Sequence, residues 1–269
     1  MTLSSMPEEE VARHWDANAD QWTEHVRKGW DTFRDHFNNP AFFELVGDLR
    51  GKTVLDAGCG EGYNTRLLAR AGARLTGVDI SPRMIGLAQA EEEHEPLGIR
   101  YDVASFSDLS RFDDGSFDVV VSTMALMDGP DLEGALREFH RVLRPAGDLF
   151  FSVTHPCFMT KGFDWLRDDE GKLARLLVSG YFDSKTWVER WRFNPASEET
   201  PLFAIPVFPR TLSDYVNGLI AAGFALREMR EPRPSEEACR EHPWLQPWRE
   251  HAALFLHIRA VKTAGEGGG

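Results

Sequence analysis

The sequence predicts an α/β fold: a doubly wound, mostly parallel sheet of seven strands, with an antiparallel last strand and an N-terminal helical segment. From about residue 52, short aliphatic runs alternate with helical stretches at the spacing of βαβ units. The segment FDVVVSTMAL contains a continuous apolar run, which is typical of a strand covered on both faces. The segment KTVLDAG ends in a glycine loop, as the first strand of such a sheet commonly does.

Five strands and three helices are predicted before residue 156. The strands are KTVLDAG (52–58), RLTGVDI (74–80), IRYDVAS (99–105), FDVVVSTMAL (117–126) and GDLFFSVTH (147–155). The first helix, 65–73, is closed by Gly72. The second begins with Ser81 as its N-cap and Pro82 in its first turn. The third, 131–145, places Leu132, Leu136, Phe139 and Leu143 on one stripe and ends at Pro145.

The last third of the chain predicts one more helix and two strands. The helix, 211–224, has Thr211 as its cap and ends at Gly223. The strands are ALREMREP (225–232) and HAALFLHIRAVK (251–262), separated by a proline-rich segment without periodicity. Because few residues separate them, we expect the last strand to lie antiparallel beside its predecessor.

Composition narrows the classes of partner. The formal charge is −13, from 43 acidic and 30 basic residues, so a nucleic acid is disfavoured and a small molecule is expected. Three scattered cysteines fit neither a disulfide framework nor a zinc site, and they favour a reducing cytoplasm. No apolar run reaches 18 residues and no secretory leader is evident, so we expect no membrane association.

The loop VLDAGCGEGYN indicates which ligand the fold binds. Its glycines are Gly58, Gly60 and Gly62, whereas a dinucleotide fingerprint needs its third glycine where Tyr63 stands. The carboxylate of Asp56 would repel a pyrophosphate beside the loop. A ligand with cationic groups and no phosphate would be attracted, and S-adenosylmethionine (SAM) has an ammonium, a sulfonium and no phosphate.

Further motifs extend this interpretation. Asp79, at the tip of the second strand, is placed to accept hydrogen bonds from ribose hydroxyls, and Ile80 to cover an adenine face. The segments VLDAGCGEG, GVDIS, FDDGSFDVVVSTMAL and HRVLRPAGDLFFSV resemble the motifs of class I SAM-dependent methyltransferases. The resemblance covers residues 52–152 and resumes from RTLSDYVNGLIAAGF to the end.

The resemblance implies roles for the cofactor-binding residues, with S-adenosylhomocysteine as product and no metal. Asp56, Gly58 and Gly60 would hold the amino-acid end of SAM, with Cys59 between the glycines as a packing residue. Many relatives carry an acid after the third strand, but here VASFSDL places Ser105 and then Phe106 at that point. These two residues are expected beside the adenine. The remaining assignment is Met124, near the methionine moiety.

The resemblance also divides the chain into segments. These are an N-terminal helical lid (1–50), the SAM-binding core (51–154), a substrate-cap insertion (155–209), the segment that completes the sheet (210–263) and a disordered tail (264–269). Of the eight tryptophans, none lies between positions 31 and 164, so the aromatic side chains are concentrated outside the core. Trp15 and Trp22 form a helical stripe that suits core packing and a lid equally well.

Three residues are candidates for acid–base catalysis. Methyl transfer needs a general base only if the acceptor must lose a proton. His155, Asp128 and Tyr181 are the candidates. A lone histidine at a strand end, such as His155, is more often a hydrogen-bonded structural residue than a base, and Asp128 can equally be the start of a helix.

The aromatic insertion suggests a planar or partly apolar small-molecule acceptor, with a specialised metabolite as first choice. Methylation at oxygen, nitrogen or carbon stays open. The alternatives are a protein or peptide methyltransferase and a non-catalytic SAM-binding regulatory protein. Whether the N-terminal segment covers its own site or that of a neighbour in a homodimer also stays open.

Overall fold

The computed structural model describes residues 6–191 and 202–263, so the predicted tail at 264–269 lies outside the described part of the chain. The strands are β1 (Thr53–Ala57), β2 (Arg74–Asp79), β3 (Arg100–Val103), β4 (Phe117–Thr123), β5 (Leu143–Thr154), β6 (Asp164–Arg167), β7 (Leu173–Leu177), β8 (Trp187–Trp191), β9 (Phe203–Val207), β10 (Phe224–Arg230) and β11 (Phe255–Lys262). The α-helices are α1 (Glu8–Arg27), α2 (Asn39–Val46), α3 (Tyr63–Arg70), α4 (Pro82–His94), α5 (Leu132–Val142), α6 (Leu212–Ala221), α7 (Glu236–Glu241) and α8 (Gln246–Glu250). A π-helical turn (Arg34–Asn38) precedes α2, and 3₁₀ turns occupy Leu126–Asp128 and Pro243–Leu245.

The central sheet has seven strands in the order β10-β11-β5-β4-β1-β2-β3. Strands β1 to β5 pair in parallel, and β11 runs antiparallel to both of its neighbours, β5 and β10. The predicted fold class and the antiparallel last strand are therefore confirmed. Strands β1 to β3 are added toward one edge of the sheet, and β4 and β5 toward the other. The order of the strands therefore reverses between β1 and β4, and ligands of open α/β sheets bind at such a point.

Helices cover the sheet on both faces. Val54 and Leu55 are adjacent in β1 and neither is exposed to solvent. Leu55 packs in a cluster with Phe139 of α5, whereas Val54 packs in another with Phe42 of α2 and Ile85 of α4. Because successive strand side chains point to opposite faces, a strand between two layers is apolar at nearly every position.

The predicted helix caps are confirmed, with one boundary corrected. The Ser81 hydroxyl accepts from the N–H of Met84 at 3.0 Å, and Thr211 forms a reciprocal capping box with Asp214. The third predicted helix ends earlier than expected, because Leu143 has extended backbone and belongs to β5. Pro145 disfavours helical backbone in the residue before it, so the strand begins ahead of the proline.

Two segments without sequence periodicity contain regular structure. The insertion after β5 carries two antiparallel pairs, β6 with β7 and β8 with β9. The proline-rich segment between β10 and β11 carries α7, a 3₁₀ turn and α8. These strands and helices are short, so none is long enough to show a clear hydrophobic period. Within the described residues, no helix is long and apolar enough to cross a membrane.

Candidate active site

A cavity of about 330 Å³ lies at the carboxyl ends of the first four strands, in the size range of small-molecule sites. All nine residues that the sequence assigned to the cofactor line it, together with residues from the N-terminal segment and from β8 and β9. The nine are Asp56, Gly58, Cys59, Gly60, Asp79, Ile80, Ser105, Phe106 and Met124. The fold thus brings together side chains that are up to 68 positions apart in the sequence, from Asp56 to Met124.

The glycine loop brings the backbone up to the cavity without side chains. Gly58 has a φ of 82°, and a Cβ there would come within 2.3 Å of the Ala125 Cβ. The loop after β1 and the loop after β4 can therefore touch only because position 58 lacks a side chain. Gly60 also has a positive φ, 56°, but a Cβ there would meet no protein atom within 4 Å. Its open side adjoins the cavity, which leaves room for a ligand against the backbone.

Asp56 is a buried carboxyl group at the end of β1. It is 1% exposed, and its Oδ2 accepts a hydrogen bond of 2.6 Å from the Thr65 hydroxyl. Burial raises its pKa from 3.8 to about 7, with a further contribution from the nearby charge of Asp79, while the Thr65 hydrogen bond acts in the opposite direction. A cation bound beside Asp56 would favour its ionised form.

Asp79, at the tip of β2, is held in position by backbone amides. Its Oδ2 accepts from the N–H of Gly60 and its Oδ1 from the N–H of Ser81, both at 2.9 Å. Burial raises its pKa to about 6, although both hydrogen bonds favour the carboxylate. The side chain also lines the cavity, so its remaining acceptor capacity faces a ligand.

The end of the cavity beyond Asp79 is formed by Ile80, Ser105 and Phe106. The Phe106 ring lies against Gly129, where a Cβ would come within 2.3 Å of the ring. The Ser105 hydroxyl donates a hydrogen bond of 2.9 Å to Glu8, the first residue of α1. This end therefore combines an aliphatic side chain, an aromatic ring and polar groups, a set that suits a nucleobase.

At the end of β4 the chain leaves the sheet through strained backbone. Met124 has a φ of 55°, which is uncommon for a residue with a side chain. Its N–H donates to Ser152, to the carbonyl oxygen at 2.9 Å and to the hydroxyl at 3.2 Å, and this fixes the turn. The preceding Thr123 lines the cavity, and its buried hydroxyl has no hydrogen-bond partner among the residues that the structure describes. A polar group of a ligand could satisfy this hydroxyl, so Thr123 fits a polar cofactor.

Of the three residues predicted for acid–base catalysis, Asp128 alone lines the cavity. His155 is buried, with its Nε2 2.8 Å from Glu231 Oε1 and its Nδ1 accepting from the N–H of Cys157. The Tyr181 hydroxyl accepts from the N–H of Leu212 and so joins the insertion to α6. Both ring nitrogens of His155 are thus engaged in structural contacts, and neither His155 nor Tyr181 is brought to the cavity.

Asp128 is a buried carboxyl group in the wall of the cavity. It is 8% exposed, and burial raises its pKa well above the usual value, although the charge of Arg210 acts in the opposite direction. The Arg210 guanidinium donates to the carbonyl oxygens of Leu126, Met127 and Gly129, and so fixes the turn that carries Asp128. A neutral carboxylic acid on the wall can donate a hydrogen bond to a ligand.

The sequence did not predict the contribution of the π-helical turn. Arg34 and Asn38 from this turn, and Asp31 before it, line the cavity. The Arg34 guanidinium lies 4.2 Å above the Tyr63 ring centre, and Asn38 Oδ1 is 2.9 Å from His257 Nε2. π-helical turns often occur at functional sites, but a turn of five residues has no period that a sequence can reveal.

Aromatic side chains from α1, β8 and β9 form another part of the cavity wall. The Phe203 ring of β9 lies 5.9 Å from Trp15, 5.7 Å from Trp22 and 4.8 Å from Trp191, measured between ring centres. All four line the cavity. The sequence left Trp15 and Trp22 open between core packing and a lid, and in the structure they pack on β9 and face the cavity.

Within the described ranges, one group of three residues could hold a metal ion: His36, Glu241 and His242. None of the three lines the cavity. Burial raises the pKa of the Cys59 thiol in the cavity wall, which keeps it protonated and a poor metal ligand or nucleophile. The groups that line the cavity include carboxyl groups, hydroxyl groups, backbone amides, aromatic rings and the side chains of Arg34 and Asn38.

Comparisons with known proteins agree with this site. Residues 55–151 match the family described as "Methyltransferase domain". Over 144 residues the chain is 34% identical to the ubiquinone biosynthesis O-methyltransferase of Xanthomonas oryzae pv. oryzae, covering 52% of this chain and 56% of that protein. The chain thus spans little more than half the length of this relative.

Two further relatives are matched over more of their length. The chain is 32% identical to the protein of the same name from Coxiella burnetii, covering 59% of this chain and 68% of that one. The crystal structure of an S-adenosylmethionine-dependent methyltransferase from Mesorhizobium loti superposes with a TM-score of 0.67 at 26% identity, covering 82% of this chain and 96% of that one. Since the fold, the glycine loop and these relatives agree, the chain belongs to the class I S-adenosylmethionine-dependent methyltransferase family.

Proposed function

We propose that this protein transfers the methyl group of SAM to a planar, partly apolar small molecule held between the strand ends and the aromatic wall. The observation that carries the proposal is the continuity of the cavity, which runs from Asp56 and Asp79 to Trp22 and Phe203. Polar cofactor residues and an apolar wall thus share one space, as a two-substrate transfer reaction requires.

The cofactor half of the cavity suits SAM. Asp79 would accept the ribose hydroxyls, Ile80 and Phe106 would enclose the adenine, and Asp56 and Thr123 would receive the methionine end. Bound there, SAM would supply a methyl group already activated by its sulfonium. The residues of the chain have to hold the acceptor in line with that methyl group and keep water out.

The acceptor half is apolar and aromatic. Trp15, Trp22, Trp191 and Phe203 present ring faces and edges, which favour a flat molecule with few charges. Relatives named ubiquinone biosynthesis O-methyltransferase act, by their name, in the synthesis of a quinone, and this supports a ring-containing acceptor. A specialised metabolite with an aromatic or heteroaromatic ring is our choice of substrate class.

Asp128 would orient the acceptor. Because burial raises its pKa and so favours the neutral acid, it would donate a hydrogen bond to an acceptor oxygen or nitrogen instead of removing a proton. This role suits an acceptor that reacts through a neutral amine or through an oxygen that is already ionised. His155 and Tyr181 have no part in this proposal, since neither lines the cavity.

The test is an incubation with SAM that carries a deuterated methyl group and with a small-molecule extract of the source cells. Mass spectrometry then follows the label in the metabolite and protein fractions. The negative control is Asp79→Ala, and the matched positive control is Asp113→Asn, which changes an exposed acid away from the cavity. A labelled metabolite that appears with wild type and Asp113→Asn, but not with Asp79→Ala, supports the proposal.

The other outcomes identify a different function. Label found only in the protein fraction would indicate a protein or peptide methyltransferase. No label, in an extract shown to contain unmodified precursors, would indicate a protein that binds SAM without transferring its methyl group. Each of these results would contradict the small-molecule proposal.

A further inference from the structure

The first residue of α1 brings a carboxylate to the nucleobase end of the cavity. Glu8 Oε1 accepts a hydrogen bond of 2.9 Å from the Ser105 hydroxyl and a second from the Ser107 hydroxyl. Glu8 lines the cavity together with Ser105 and Ile80. The same three residues also line a second, more open cavity next to it, so Glu8 stands where the main cavity meets the outside.

Contacts between α1 and α4 hold Glu8 at this position. Asp16 Oδ1 accepts from the Ser81 hydroxyl at 2.5 Å and from the N–H of Arg83 at 3.0 Å. The Arg83 side chain forms an ion pair of 2.5 Å with Asp20 of α1. Ser81 follows Asp79 by two residues, so these contacts tie α1 directly to the loop that carries the ribose-binding carboxylate.

The chemistry of adenine requires an acceptor at this end. The 6-amino group of adenine is a hydrogen-bond donor at the edge of the ring farthest from the ribose. The side chains that face this end include Ile80, Phe106 and Ser105, and the Ser105 hydroxyl already donates its hydrogen to Glu8. Within the described part of the chain, no hydrogen bond reaches Glu8 Oε2. This oxygen therefore has capacity to accept from an amine.

We propose that Glu8 accepts a hydrogen bond from the 6-amino group of the SAM adenine, so that α1 forms part of the cofactor site. This inference rests on the proposed function, because it assumes that SAM occupies the cavity. The hydroxyl groups of Ser105 and Ser107 donate to Oε1 of Glu8 and so orient its carboxylate. Glu8 supplies from the N-terminal helix an acid that the strand itself lacks, since Ser105 stands at the end of β3.

The test compares two ligands that differ at the 6-position and at the neighbouring N1, which carries a hydrogen only in the deaminated ring. Isothermal titration calorimetry measures the affinity of S-adenosylhomocysteine and of its deaminated analogue S-inosylhomocysteine, in which an oxygen replaces the amine. We expect wild type to prefer the adenine compound by about tenfold or more, because the 6-oxygen offers no N–H to the carboxylate at the place where the amine does, and the two oxygens repel each other. Glu8→Ala should remove most of this preference, and Glu8→Gln should reduce it.

Two further variants separate recognition from helix stability. Glu9→Ala changes the exposed neighbour in the same helical turn and should keep the wild-type preference. The double variant Glu8→Ala with Ser105→Asp moves the carboxylate from the helix to the strand end and should restore the preference. Circular dichroism verifies that each variant is folded.

The outcomes distinguish this inference from the function on which it rests. If Glu8→Ala binds both ligands more weakly by the same factor, Glu8 only holds α1 in place and the inference is wrong. An unchanged preference in Glu8→Ala refutes it equally, while the methyltransferase proposal stands. If wild type binds neither ligand, the proposed function itself fails.

Discussion

The buried carboxyl of Asp56 should destabilise the free protein at neutral pH, and Asp56→Asn should relieve this cost. Burial raises the pKa of Asp56 from 3.8 to about 7 in the folded state. Between these values the unfolded chain releases a proton that the folded chain keeps, so stability falls as pH rises. At about 1.4 kcal/mol per pKa unit, the full cost above pH 7 is about 4 kcal/mol.

Asparagine keeps the shape of the side chain and can still accept the hydrogen bond from Thr65, but it has no ionised form to desolvate. We therefore expect Asp56→Asn to be the more stable protein at pH 8. Its advantage over wild type should grow by about 3 kcal/mol between pH 5 and pH 8, because wild type bears most of the cost only at the higher pH. Urea unfolding of both proteins without ligand, at both pH values, measures this difference.

The comparison between the two proteins isolates Asp56 from the other groups whose pKa is shifted. Asp113→Asn, at an exposed position, should follow wild type at both pH values. If the difference between Asp56→Asn and wild type is the same at pH 5 and pH 8, Asp56 is ionised in the folded protein throughout. The reasoning from burial would then be refuted.

Three further predictions concern other parts of the site. Gly58→Ala should lower stability to urea by about 1–3 kcal/mol, because the new methyl group would meet Ala125 at 2.3 Å. Asp79→Asn should weaken S-adenosylhomocysteine binding about 10- to 100-fold by calorimetry. In wild type this affinity should rise with pH up to about 6 as Asp79 ionises, and Asp79→Asn should lose that rise. Phe203→Leu should raise the KM for the acceptor about 3- to 10-fold and leave the affinity for S-adenosylhomocysteine unchanged, because it removes ring contacts on the acceptor side alone.

The core of the fold could be predicted because its strands are buried on both faces and its helices have strong end signals. Val54 and Leu55 are apolar at successive positions and both are buried. This pattern is typical of a strand that lies between two layers, because successive side chains point to opposite faces of the sheet. The insertion gave no such signal. Strands β6 to β9 are half-exposed and only four or five residues long. Strand β9 is held by α1, for example by the hydrogen bond from the Asn18 amide to the carbonyl oxygen of Ala204, which lies far away in the sequence.

That the residues assigned to the cofactor would share one cavity could be predicted, because parallel strands place their carboxyl ends at one edge of the sheet. Asp56, Asp79 and Ser105 therefore lie together whatever the rest of the chain does. The N-terminal residues could not be placed in this way. Glu8 contacts Ser105 although the two residues are 97 positions apart. Asp16 accepts a hydrogen bond from Ser81 at the start of α4 and so holds α1 in this place, and no local sequence pattern indicates that contact.

The raised pKa values of Asp56 and Asp79 also lead us to expect that the cavity favours a cationic ligand. In the free protein, burial pushes both groups toward their protonated forms. A dinucleotide would bring phosphate charges to the same wall and increase that cost, whereas an ammonium and a sulfonium would offset it. A bound cationic ligand should therefore offset part of the free-energy cost of burying the two ionised carboxyl groups. It should stabilise the folded protein most at the pH where the free protein is least stable. The same two carboxyl groups should thus make the free protein less stable at neutral pH, and we expect them to favour a cation without phosphate as the ligand.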